Sequence, residues 1–275
     1  MVRKDLPGPR KGADVQPEPT KELMSQIPTL QEMLEAGVHF GHQTRRWNPR
    51  MKPYILTARS GIYVIDLEKT LECLQRAVSK VLQVRATGAS VLFVGTKPTI
   101  AGAVREEAAR SGQPWVTTRW LGGMLTNYQT IRKSIKSLED IERMENDGVL
   151  ADLTKKEAND LLIEKDRLVD VFGGIRNMRT LPGLVFVADA KTEQIALAEA
   201  RRLNIPTVAI VDTNTDPNMV DFPIPANDDA IKAVKLIAGT IANAVISGSG
   251  SSAPAPVAPV AVAAPAAVVA EEVVA

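Results

Sequence analysis

Two kinds of residue cluster in this chain could do chemistry. One is cationic and aromatic. The stretch Ala36–Ile65 contains no acidic residue and carries Arg45, Arg46, Arg50, Lys52 and Arg59 among His42, Trp47, Tyr54 and Tyr63. The stretch Ala108–Leu138 is also free of acids and carries Arg110, Arg119, Arg132, Lys133 and Lys136 with Trp115, Trp120 and Tyr128. Together the two windows hold every Trp and Tyr of the chain, although acids and bases are balanced overall, 32 against 33. Cations without neighbouring anions suit a polyanion, and planar side chains among them suit unstacked bases. The plainer alternative is a Trp/Tyr-rich core with arginines scattered over its surface.

The second kind could serve catalysis or metal binding. His39 and His42 are the only histidines, and at i, i+3 both could face one metal. Only Cys73 remains as a further soft ligand, which argues against a closed zinc site. Gly95-Thr96-Lys97 follows an apolar run, but neither GxxxxGK[ST] nor GxGxxG is present. Asp189 and Asp212 close two other apolar runs, as Mg²⁺-holding carboxylates of a phosphotransfer enzyme would. An aspartyl-phosphate chemistry of that type needs a second Asp where Asn214 stands, and Asp, Asn and Thr at strand ends ordinarily close turns. No GxSxG elbow occurs. A nucleotide- or Mg²⁺-dependent enzyme using Lys97, Asp189 and Asp212 is therefore the rival class, and ATP and Mg²⁺ titration separates it from an RNA binder.

The elements that position these residues are legible. Thr29-Leu30-Gln31-Glu32 is a capping box, with Gly37 as the stop. Ile55–Ala58 and Ile62–Ile65 flank Arg59-Ser60-Gly61 as a hairpin. Asp66 caps a helix with Leu67, Leu71, Leu74, Val78 and Val81 on one stripe. Ser90–Val94 is a short buried strand, Pro98 opens a helix ending near Gly112, and Pro114–Thr117 is a brief strand. Strand Leu184–Ala188, helix Thr192–Leu203 and strand Thr207–Val211 follow, then an extended piece at Phe222–Ile224 and a last helix from Asn227-Asp228-Asp229 to about Ile246. Such alternation implies a parallel sheet with helices on both faces.

Between the halves, Thr126–Asn146 and the segment from the capping box at Thr154 to Phe172 carry narrow apolar stripes. They predict an inserted antiparallel helical hairpin, with two ordinary sheet-covering helices as the alternative. The predicted division is residues 1–27 as a disordered extension, 28–125 with 174–247 as the α/β domain, 126–173 as the hairpin, and 248–275 as a low-complexity Ala/Pro/Val tail. Pro49 and Pro53 predict an extended His42–Lys52 segment. Thr126 and Asn127 start a helix whose N–H groups could meet an anion, and Gly173-Gly174-Ile175-Arg176-Asn177-Met178-Arg179 returns the chain to the hairpin base beside it.

Charge is polarised along the chain. Glu139–Asp170 carries eleven acids against five bases, and beyond Asn204 there are seven acids and two lysines. A single cysteine excludes an intramolecular disulfide, no apolar run reaches the roughly 20 residues of a bilayer span, and the Pro-rich N-terminus lacks an apolar signal core. A cytoplasmic location with no membrane partner is expected.

Several segments resemble, in order, the bacterial-type small-subunit ribosomal protein two family: Leu34-Glu35-Ala36-Gly37-Val38-His39-Phe40-Gly41-His42-Gln43, Arg46-Trp47-Asn48-Pro49, Gly61-Ile62-Tyr63-Val64-Ile65-Asp66-Leu67, Phe93-Val94-Gly95-Thr96-Lys97, Arg119-Trp120-Leu121-Gly122-Gly123-Met124-Leu125-Thr126-Asn127, Gly173-Gly174-Ile175-Arg176, Asp212-Thr213-Asn214, and Pro225-Ala226-Asn227-Asp228-Asp229-Ala230. The resemblance covers about Leu30 to Ser247. It implies a three-layer αβα (flavodoxin/Rossmann-like) parallel sheet with an inserted coiled-coil-like hairpin. It further implies binding to small-subunit rRNA near the head–body junction, docking of the large mRNA-binding protein of that subunit, contacts with neighbouring ribosomal proteins, and no catalysis, cofactor, metal or small-molecule substrate. Members usually begin near the position of Met24, so Met1–Leu23 is read as an extension or a start-codon artefact. The expected rRNA contacts are Arg45, Arg46, Arg50, Lys52, Arg119 and Arg176 to phosphates, with Trp47 and Trp120 stacking or bracing their loops. His42, Asn48, Asn127 and Arg179 lie in the same segments and complete the set with Lys97, which either meets RNA or caps. Trp115, in a strand, is assigned to the core.

Overall fold

The structure is a computed structural model that describes residues 27–248 except residue 152. The predicted N-terminal extension and the Ala/Pro/Val tail lie outside the described residues, apart from a few positions at their inner edges. The chain opens with α1 (Leu30–Glu35), closed at its N-terminus by the reciprocal Thr29/Glu32 capping box. Three short antiparallel strands follow, β1 (Phe40–Gln43), β2 (Ile55–Arg59) and β3 (Ile62–Ile65), in the order β1-β3-β2. Helix α2 (Leu67–Ala86) starts at Asp66, whose side chain accepts from Glu68 N. Then come β4 (Val91–Val94), α3 (Pro98–Arg110), β5 (Trp115–Val116), α4 (Tyr128–Asn146), α5 (Lys155–Phe172), β6 (Leu184–Val187), α6 (Gln194–Arg202), β7 (Thr207–Val211), β8 (Phe222–Pro225) and α7 (Ile231–Gly248).

Strands β4 to β8 form one all-parallel sheet in the order β5-β4-β6-β7-β8. Every residue of β4, β6 and β7 is buried, as expected for strands covered on both faces. From β4 the chain moves outward to β5 and then returns to the other side of β4 for β6, β7 and β8. The order therefore reverses between β4 and β6, and the carboxyl ends of those two strands form the crevice where open α/β sheets take ligands.

Two cores fill the sandwich. On one face Phe93 and Phe186, whose rings meet edge-on at 5.3 Å, pack with residues of α1, α2, α3 and α7. Helix α7 is by length and composition apolar enough to cross a membrane. Here it packs against α2 and α3 and buries Val234, Ile237, Ile241 and Val245. On the other face α6 is the sheet's one covering helix among the described residues. The rest of that layer comes from Met51 and Tyr54, the loop Trp120–Leu125, and the hairpin base at Ile131, Ile135 and Phe172.

Helices α4 and α5 pack on each other. Leu138 and Ile141 are buried but belong to neither core, so past its base the hairpin covers its own stripe rather than the sheet. This is the inserted hairpin, not a pair of sheet-covering helices. One local expectation needs correction. The segment His42–Lys52 is not extended throughout: Thr44–Arg46 and Pro49–Tyr54 wind into 3-10 turns. Proline at the first position of such a turn forfeits no hydrogen bond, and the Asn48 side chain caps the second turn by accepting from Arg50 N at 3.0 Å.

Candidate nucleic-acid interface

The switch-point crevice is acidic. Lys97, immediately before α3, reaches Asp229 Oδ1 at 2.6 Å, Asp228 Oδ1 at 3.1 Å and Asp189 Oδ2 at 3.6 Å. His42 Nδ1 lies 2.9 Å from Asp212 Oδ2, and its Nε2 lies 3.6 Å from Asp229. The hydrogen bond to Asp212 raises the His42 pKa against the opposing effect of burial. Burial and the neighbouring Asp189 and Asp212 push Asp228 up to about 6. Burial works against the Lys97 charge, but the bonds to Asp229 and Asp228 hold its pKa above the ordinary lysine value. Ligand atoms of His42, Asp212 and Asp228 all lie within 4.8 Å of one another, so this trio could hold a divalent cation. His39 does not join it: its ring lies 4.0 Å from Phe40, its Nδ1 is buried without a partner among the described residues, and burial lowers its pKa.

This arrangement is poorly suited to phosphate. Thr96 N, which would face a phosphate in a nucleotide loop, donates instead to the buried Glu193 carboxylate at 2.7 Å. Asp189 accepts from Lys191 N, Thr192 N and Thr192 Oγ1, closing the turn after β6. The cation of Lys97 is shared among three carboxylates of the crevice.

The first cationic segment is sewn to the end of β7 by Thr213. His42 N donates to Thr213 Oγ1 at 2.9 Å and Asn48 N donates to Thr213 O at 2.7 Å. Gly41 is required there, because a Cβ at that position would sit 2.6 Å from Thr213 Cγ2. Met51 is buried in the second core, while Arg45, Arg46, Arg50 and Lys52 are exposed. Arg50 is ion-paired with Asp216, and Arg45 donates to Gln43 Oε1 at 3.3 Å. Trp47 is half-buried, its ring 5.3 Å from that of Tyr63.

The second segment hangs on one buried carboxylate. Glu199 of α6 accepts from Trp120 Nε1 (3.1 Å), Gly123 N (2.7 Å), Leu125 N (3.0 Å), Thr126 N (3.0 Å) and Thr126 Oγ1 (3.1 Å). The N–H groups of the loop before α4, Thr126 N among them, are thus closed on an internal anion. Trp120 is 7% exposed and serves as a brace, while Arg119 beside it and Asn127 are exposed. Asn127 Oδ1 accepts from Thr130 Oγ1 at 2.9 Å.

The third segment lies against the second. Gly174 presses on β5 so closely that a Cβ would fall 2.2 Å from Trp115 O. Tyr128 OH donates to Met178 O, and Arg132 Nη1 donates to Arg179 O at 3.3 Å. Arg176 forms a forked ion pair with Glu142 of α4, Nη1 to Oε1 at 3.0 Å, whereas Arg179 is exposed and its side chain makes no ion pair among the described residues. Of the residues singled out in the sequence, Arg45, Arg46, Lys52, Arg119 and Arg179 offer charge to solvent. Arg50 and Arg176 share theirs with a carboxylate, and His42 and Lys97 face the acidic crevice. Glu199 and Glu193 escaped sequence reasoning, and Thr213 was read only as part of the Asp212-Thr213-Asn214 motif, not as the anchor of the first segment. Glu199 left one trace, a glutamate beside Ala196 and Ala200 on the inward stripe of its helix.

All three segments contribute to the second core, so they share one face of the sandwich. A family model described as Ribosomal protein S2 matches residues 33–248 of the chain. That match runs from inside α1 to the end of α7 and takes in every strand, and the chain therefore belongs to the ribosomal protein S2 family, structural proteins of the small ribosomal subunit that act in translation and typically bind RNA.

Proposed function

We propose that the protein docks on small-subunit rRNA, near the head–body junction, through the face of the sandwich that carries α6 and the hairpin base. The observation that carries this reading is the set of exposed, unshared cations on that face, Arg45, Arg46, Lys52, Arg119 and Arg179, next to half-buried Trp47. Each such cation displaces counterions from the phosphate backbone, so binding is steeply salt-dependent. Arg50 and Arg176 reach phosphates as members of ion pairs, and Asn48 and Asn127 hold the turns that present their neighbours. The work is electrostatic and steric, with no bond made or broken. The crevice and the acidic outer part of the hairpin, which repel phosphate, suit protein neighbours, including the large mRNA-binding protein.

The test is a filter-binding titration of the full chain on small-subunit rRNA over a range of KCl. Replacing Arg45, Arg46 and Lys52 by Ala is expected to lower affinity and reduce the log–log salt slope by up to about three units. An unchanged slope removes the first segment from the interface.

A further inference from the structure

Helix α6 hides its acids. Glu193, at its N-cap, and Glu199 are 3% and 8% exposed and are turned into the protein, one onto Thr96 N and the other onto the Trp120 loop. The residues left facing solvent, Lys191, Gln194, Ile195, Ala198, Arg201 and Arg202, recur at helical spacing and include no acid. The side chains of Lys191, Arg201 and Arg202 make no hydrogen bond or ion pair among the described residues. A groove beside this face is lined by Thr126, Ile195, Arg202, Met219 and Glu199, whose carboxylate is already engaged by the Trp120 loop. The acids of the adjoining segment are engaged elsewhere: Asp216 by Arg50, and Asp221 by Thr207 N at 3.0 Å and Thr207 Oγ1 at 2.9 Å.

We propose that this face of α6 is a further contact surface for the phosphate backbone of folded RNA, continuous through Thr126 with the Arg119 loop. Charge complementarity selects the partner: two unshared cations in the last turn of a helix and a third, Lys191, in the turn that precedes it, with the small Ala198 between them, fit a phosphodiester backbone better than an apolar or cationic protein surface. Two arginines in a last turn also favour the helix dipole, but that role bears on stability and not on salt-dependent binding. The proposal rests on the rRNA-binding reading above and adds residues that none of the sequence motifs contains.

The experiment compares the full chain with Arg201→Gln/Arg202→Gln in the same filter-binding titration, with thermal melts alongside. Gln keeps the helix preference of Arg and removes its charge. Arg105→Gln/Lys232→Gln, two exposed changes in α3 and α7 on the opposite layer, controls for net charge. The expected result is a log–log slope reduced by up to about two units in the double variant, an unchanged slope in the control, and cooperative melts throughout, that of the double variant lowered only by the lost helix-dipole contribution. The proposal is overturned by a wild-type slope in the double variant while the Arg45/Arg46/Lys52 variant loses slope, which would leave the α6 face to another partner such as an acidic protein segment. An equal loss in the control overturns it as well. If neither cationic set changes the slope, the rRNA reading itself fails, a different outcome from failure of the α6 face alone.

Discussion

At the scale of single residues, Glu199 decides most. Burial pushes its carboxyl up, and the N–H groups of Thr126, Gly123, Trp120 and Leu125 push it down by more, so its pKa is lowered from the ordinary 4.5. A depressed carboxyl contributes its stability fully above that ordinary value and loses it as pH falls through the lowered folded value. Acidification below about pH 4.5 is therefore expected to weaken the fold through release of the Trp120 loop, readable as a change in Trp fluorescence. Glu199→Gln presents an amide N–H₂ to donors already pointing inward. It should cost about 3 kcal/mol at neutral pH and flatten the acid limb of the stability profile. A variant with the wild-type melting temperature and the wild-type acid limb would show that the loop holds itself. Residues of this kind are the least legible in a sequence. The cations of the Arg119 loop announce themselves by type, whereas the anion that shapes the loop lies 76 positions from Gly123 and looks like any helix glutamate.

At the scale of elements, what could be read followed from local physics. Capping boxes at Thr29 and Thr154 mark the starts of α1 and α5, and the apolar runs Val91–Val94 and Leu184–Val187 are the strands they resemble. The 3-10 turns at Thr44–Arg46 and Pro49–Tyr54 were not readable, because proline permits both an extended path and the first turn of a helix. Contacts distant in sequence choose between them: Asn48 N to Thr213 O, and Met51 in the second core. The hairpin was legible because two stripes with charged flanks had no third partner. Its outer part is expected to be dispensable for RNA. Excising residues 143–168 and joining the helices with a short Gly-rich turn leaves Ile131, Ile135 and Phe172 in place at the base. Such a chain should keep the full salt slope on rRNA while losing capture of the mRNA-binding protein in co-sedimentation. Loss of rRNA affinity in a folded, excised chain would place phosphates against the hairpin instead.

At the scale of the molecule, one gathering of charge is made by strand order alone. Asp189, Asp212, Asp228 and Asp229 meet His42 and Lys97 at the switch point. Strand order brings these acids together, and strand order was not legible: nothing in the two-residue β5 reveals that it pairs outside β4. The gathering has a pH signature. Asp228 is raised from 3.8 to about 6, so the fold prefers it protonated and loses stability as pH rises across that interval. His42 is raised above 6.5, so its contribution is complete below that value and drains as pH rises through the folded one. Both effects slope the same way, and the crevice is expected to be less stabilising at pH 8 than at pH 5. Asp228→Asn keeps the shape and removes the ionisation. In buffer containing a chelator it should flatten the pH 4–6 limb of a melting-temperature profile, shrink but not abolish the His42 limb above pH 6.5, because Asp212 remains, and be no less stable than wild type at pH 7. A variant clearly less stable at pH 7 would mean that the Lys97–Asp228 pair at 3.1 Å outweighs the repulsion among the carboxylates, and that the acids are held together by the lysine rather than merely tolerated around it.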